Sequence, residues 1–73
     1  MIATATGVVA SFDDPRGLGV VRAEDGTEYP FHCTAIADGT RTIEVGAAVD
    51  FEVVPGRMGR WEATNLRPAA RGD

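Results

Sequence analysis

Apolar and polar residues alternate with period two in short runs, and Gly, Pro and Asp separate the runs. In the run Ala47–Val54, Val49, Phe51 and Val53 alternate with Asp50 and Glu52. That is the pattern of a strand with one face on a core and one in water. In Thr27–Cys33, Tyr29 and Phe31 alternate with Glu28, Pro30 and His32. The expectation is that Tyr29 and Phe31 face inward; a one-residue register shift would put Phe31 outside instead. Three further runs complete the set: Thr6–Phe12, closed by Asp13-Asp14-Pro15; Leu18–Ala23, followed by the hairpin signal Glu24-Asp25-Gly26; and Gly59–Leu66. A long connection, 34–46, precedes the fourth run, and Thr34-Ala35-Ile36 has room for one short helical turn. No stretch of ten residues carries helical periodicity.

Five short strands with tight turns predict a small all-β domain. Closure into a barrel would remove edges that so small a domain cannot otherwise cover. An open meander and an SH3-like barrel fit the same alternation. Residues 1–67 are expected to form the domain and 68–73 a frayed tail.

Composition narrows the function classes. Seventy-three residues, 44% of them hydrophobic and 25% charged, make one ordinary folded domain with a compact core. The start lacks a basic region followed by an apolar run, and no stretch approaches a membrane span. A lone cysteine, Cys33, can form neither an internal disulfide nor a four-ligand zinc site. A cytoplasmic monomer or weak homodimer without cofactor or metal is therefore expected. Catalysis is not, for lack of a Ser-His-Asp context or a paired-carboxylate pocket. The net charge of −4 argues against a general polyanion binder. It leaves room for single strands held mostly by base stacking, with positive charge supplied locally. All seven basic residues are Arg, whose flat guanidinium stacks on bases as well as pairing with phosphate.

Three motifs choose among the folds. Gly7-Val8-Val9-Ala10-Ser11-Phe12-Asp13 is similar to G-x-V-K-W-F-N, and Arg16-Gly17-Leu18-Gly19-Val20-Val21 to K-G-F-G-F-I. Tyr29-Pro30-Phe31-His32, then Thr34-Ala35-Ile36, is similar to V-F-V-H with S-A-I. Thr42–Gly46, Val49–Val53 and Ala63–Leu66 continue the order with T-L-x-E-G, V-x-F-x-V and A-A-N-V. The ordered set, from about Thr6 to Leu66, resembles the bacterial cold-shock proteins. That resemblance implies a five-stranded antiparallel β-barrel of the OB type, binding single-stranded RNA or DNA on an aromatic platform.

Most of the implied platform is missing here. The family's first-strand Trp is Ser11, the two Phe of its first motif are Leu18 and Val20, and its outward second-motif Phe is Pro30. Cys33 and Arg41 replace two further aromatics, while Phe12 and His32 are retained. Losing three rings at about 1 kcal/mol each weakens binding by roughly two orders of magnitude.

The contacts implied by the resemblance are Phe12, Arg16, Leu18, Val20, His32 and Arg41, joined by Trp61. Trp61 is read first as a lid on the core, or else as a substitute stacking ring beside the basic pair Arg57 and Arg60. Gly17 and Gly19 lack the following helix that a phosphate loop needs, so bends in a tight barrel are expected there. Arg71-Gly72-Asp73 is discounted as a chance adhesion tripeptide. The function expected is weak, low-specificity single-strand binding. The competing reading is a protein-interaction module using the apolar strip of Leu18, Val20 and Pro30.

Overall fold

A computed structural model describes residues 3–37, 39, 41–56 and 59–69. Five strands form one antiparallel sheet: β1 (Ala3–Asp13), β2 (Leu18–Ala23), β3 (Glu28–His32), β4 (Ala48–Pro55) and β5 (Trp61–Pro68). Their order is β3-β2-β1-β4-β5, with a single 3₁₀ turn, Cys33–Ala35, after β3. β1 carries the curl of the sheet because Gly7 and Val8 pair with β2 on one side and β4 on the other. Gly7 is buried at that crossing, where a Cβ would collide with the main-chain carbonyl oxygen of Arg22. Only glycine lets the two ladders approach so closely.

The edges β3 and β5 share no ladder, so the barrel is only partly closed. The 3₁₀ turn spans the gap: Ile36 bridges Leu66, and Ala37 N–H donates to the Leu66 carbonyl at 2.8 Å. This is the OB-type architecture expected. The inward residues of all five strands and the turn meet in one core: Val9, Val21, Ala23, Phe31, Ile36, Val49, Phe51, Val53, Ala63 and Leu66. Tyr29 is half-buried and tilts against Phe51 at 6.0 Å, so both aromatics of β3 face inward and no register shift occurs.

Two bulges adjust the ladders. In β1 the register with β2 shifts between Val9 and Ser11, making Ala10 the extra residue. Between β4 and β5 it shifts between Asp50 and Glu52, opposite Asn65, which sits at φ 54° and donates from Nδ2 to Glu52 Oε2 at 3.1 Å. Asparagine is among the few residues that accept this left-handed backbone.

Strand ends differ from the expected runs where pairing extends them. Ala3–Ala5 pair with Phe51–Val53, so β1 begins before Thr6. Pro68 pairs with Val49, and Ala69 N–H donates to the Ala48 carbonyl at 3.1 Å, so residues expected in the tail are held by β4. Asp38, Arg57 and the tripeptide Arg71-Gly72-Asp73 lie outside the described residues.

Candidate nucleic-acid interface

The phase of the β2–β3 ladder fixes what its outer face presents. Cys33 N–H donates to the Gly17 carbonyl at 2.7 Å, and Ala23 N–H to the Thr27 carbonyl at 2.8 Å. Antiparallel pairs alternate, so these bonds make Leu18–His32, Val20–Pro30 and Arg22–Glu28 the non-hydrogen-bonded pairs, whose side chains stand closest. All three pairs project outward. Pro30, which has no N–H, falls where its nitrogen faces away from β2 and toward the sheet edge. It therefore costs the ladder nothing and removes a donor from that edge.

With β1 added, the outer face is a set of three rungs: Val8–Arg22–Glu28, Ser11–Val20–Pro30 and Asp13–Leu18–His32. The middle rung carries no charge. In the first, Arg22 is neutralised by Glu28, its Nη2 lying 3.0 Å from Oε2. At the third, Asp13 lies 3.7 Å from Arg16 in the adjoining hairpin turn. Leu18 is 49% exposed at the middle of its rung. The face is thus a nearly neutral apolar strip with a histidine at one end.

His32 is exposed and does two jobs. It caps the 3₁₀ turn: its Nδ1 accepts from Thr34 N–H at 3.2 Å, with the Thr34 hydroxyl 3.0 Å from the same nitrogen. A neutral ring that accepts at Nδ1 carries its proton on Nε2, which leaves that nitrogen as a donor. The cap fixes the ring's orientation on the strip.

The expected contact residues divide. Leu18, Val20 and His32 lie together on the strip, and Arg16 is exposed in the turn at its end. Phe12 does not join them. The bulge at Ala10 reverses the facing of β1, so Ser11 points out and Phe12 points to the core side, in line with Gly19 and Phe31. The Phe12 and Phe31 rings stack at 5.9 Å and 5° across Gly19, where a Cβ would come within 2.5 Å of Phe31 Cζ. Arg41 is exposed in the connection before β4, in a left-handed conformation at φ 63°. Trp61 is not a lid. It is 51% exposed and paired with Pro55, one rung beyond the buried pair Val53–Ala63.

Sequence reasoning missed Glu62. It lines an open cleft of about 470 Å³ together with Leu18, Pro30, Phe31 and His32. Barrel curvature puts this β5 residue beside the outer face of β3, a neighbour that local pattern does not reveal. Among the described residues no group of three or more His, Cys, Asp or Glu side chains is placed to hold a metal ion.

Residues 5–69 match the family described as the 'Cold-shock' DNA-binding domain. The chain is 43% identical over 65 residues to the cold shock-like protein CspA of Stigmatella aurantiaca, covering 86% of this chain and 94% of that one. Identity to the cold shock protein CspB of Bacillus caldolyticus is 39% over 62 residues, or 84% and 94% of the two chains. Cold shock protein 1 of Arabidopsis thaliana matches 96% of this chain at 31% identity, within 24% of its own length.

Proposed function

The chain belongs to the cold-shock domain family, and on that premise we propose that it binds single-stranded RNA or DNA on the outer face of β1–β2–β3. Binding is weak, shows little sequence preference and involves no catalysis. The observation that carries this reading is the strip itself. Leu18, Val20 and His32 stand on the outer face in adjacent non-hydrogen-bonded pairs, an apolar surface on which base faces can lie. Arg16 at one end supplies a positive charge for the nucleic-acid backbone, and Arg41 and Trp61 are exposed to extend the contact from neighbouring loops.

Leu and Val cannot stack as rings do, so affinity falls below that of an aromatic platform. The near-neutral rungs add little counterion release. A second reading rests on the exposure of Leu18 and Val8: the same strip as a protein contact or homodimer face. Fluorescence anisotropy of labelled oligothymidine and oligouridine at low salt separates the two. Saturable binding that weakens with salt supports the first. No binding at millimolar protein, with a concentration-dependent dimer in sedimentation, supports the second.

A further inference from the structure

The cleft beside the strip has an asymmetric chemistry. Its lining residues are the apolar Leu18, Pro30 and Phe31 and the polar Glu62 and His32. The Glu62 side chain lies over the main chain of Gly56, where a Cβ would collide with its Cγ, Cδ and Oε2, and it makes a further interaction of its own. A carboxylate's two oxygens offer about four acceptor sites, more than one partner uses. His32, with Nδ1 committed to Thr34, offers Nε2–H as a donor.

A carboxylate at a nucleic-acid face repels phosphate, so a strand entering this cleft must present a base edge there. The four bases are not equivalent partners for it. Guanine carries two adjacent donors, N1–H and the N2 amino group, which match a carboxylate with two parallel hydrogen bonds. Its neighbouring O6 is an acceptor suited to Nε2–H. Thymine and uracil place their single N3–H between two carbonyl oxygens, and cytosine and adenine set a ring-nitrogen acceptor beside their amino group. Each of these brings a lone pair toward the carboxylate.

We infer that the cleft between β3 and β5 is a guanine-reading subsite, with Glu62 accepting from N1–H and N2–H and His32 donating from Nε2. The inference rests on the nucleic-acid reading above and sharpens it: one base of an otherwise permissive strip is selected. A good bidentate base contact discriminates by about tenfold.

The test is competition among deoxy hexamers, TTTTTT, TTTGTT, TTTATT and TTTCTT, followed by anisotropy at low salt. TTTGTT is expected to bind about tenfold more tightly than TTTTTT. In Glu62→Gln that ratio is expected to fall below about threefold, even if removal of the negative charge strengthens every complex. Glu62→Asp, which keeps the charge but withdraws the carboxylate, gives a second readout by lowering the ratio, and Glu44→Gln in an exposed loop leaves it unchanged. Equal binding of TTTGTT and TTTTTT, or a ratio unmoved by Glu62→Gln, overturns the subsite and leaves single-strand binding standing. Absence of binding by every hexamer at millimolar protein overturns both.

Discussion

If the outer rungs are a base-binding strip depleted of rings, replacing the rings should restore affinity by a calculable amount. Leu18 and Val20 are the positions to use. They are successive outward residues of β2, about 6.6 Å apart along the strand at an ordinary rise. Leu18 is already 49% exposed, and Val20 stands between the small side chains of Ser11 and Pro30, so phenylalanines there meet open space rather than core. Fold stability should change by less than about 0.5 kcal/mol, the usual range for surface substitutions. Each ring that stacks on a base contributes about 1–3 kcal/mol. At the lower figure the double variant Leu18→Phe/Val20→Phe gains about 2 kcal/mol, or roughly 30-fold in Kd. The assay is anisotropy with labelled oligothymidine at low salt, with circular dichroism to verify folding. Val45→Phe, in an exposed loop away from the strip, controls for general stickiness. A folded double variant that gains less than about threefold, or no more than Val45→Phe, would refute the placement of the binding face.

Three other outcomes follow from the geometry. Gly7→Ala forces a Cβ into the Arg22 carbonyl, and because main chain cannot rotate aside the expected loss is about 2 kcal/mol or more, near 10 °C in Tm by thermal unfolding. In the β2–β3 turn, Asp25 Oδ1 accepts from Thr27 N–H at 2.9 Å, and that bond holds its carboxyl below the usual carboxylate range. A depressed folded pKa stabilises above the unfolded value and ceases to do so as pH falls through the folded one. Asp25→Ala should therefore lower Tm at pH 7, and its deficit against the parent should shrink as pH falls through the folded pKa. Finally, among the described residues Arg41 and Arg60 are exposed and Arg16 is exposed with only a loose pairing to Asp13, whereas Arg22 is forked onto Glu28 and Arg67 donates to the Asn65 carbonyl. Contacts from Arg16, Arg41 and Arg60 at about 0.7 each give a slope of log K against log salt of about −2 in an anisotropy series. A slope near −5 would place binding on another surface.

How much of this was legible from residues alone depends on the range of each effect. Alternation placed Val49, Phe51, Val53, Tyr29 and Phe31 inward, because burial of one sheet face is written locally with period two. Phe12 was misplaced for an equally local reason: the extra residue Ala10 reverses the facing after Val9, and nothing in Val9-Ala10-Ser11-Phe12 marks a bulge. Trp61 shares the inward facing of Ala63 but overhangs the last core rung, so the tendency of a lone Trp to pack, which made it a lid, does not hold there. The early start of β1 and the late end of β5 depend on the reach of β4, which pairs with both. Glu62 was hidden because its neighbours Leu18, Pro30 and His32 come from strands distant in sequence, brought near only by closure of the barrel. Closure itself was expected from five short strands, so the outward residues of β5 nearest β3 were a signal within reach.

The chain thus has the five-stranded antiparallel sheet that the resemblance implied, with aliphatic side chains on the outer face where it implied rings. The most direct test of a single-strand interface on that face is a residue-by-residue map of amide chemical shifts in ¹⁵N-labelled protein during titration with oligothymidine and with TTTGTT at low salt. Shifts concentrated on Arg16, Leu18, Val20 and His32, with Glu62 joining for TTTGTT and with Val45 unmoved, are the predicted result. Shifts clustered around the separate cleft lined by Ile36, Ile43, Val49 and Leu66, or none at millimolar ligand, would contradict it.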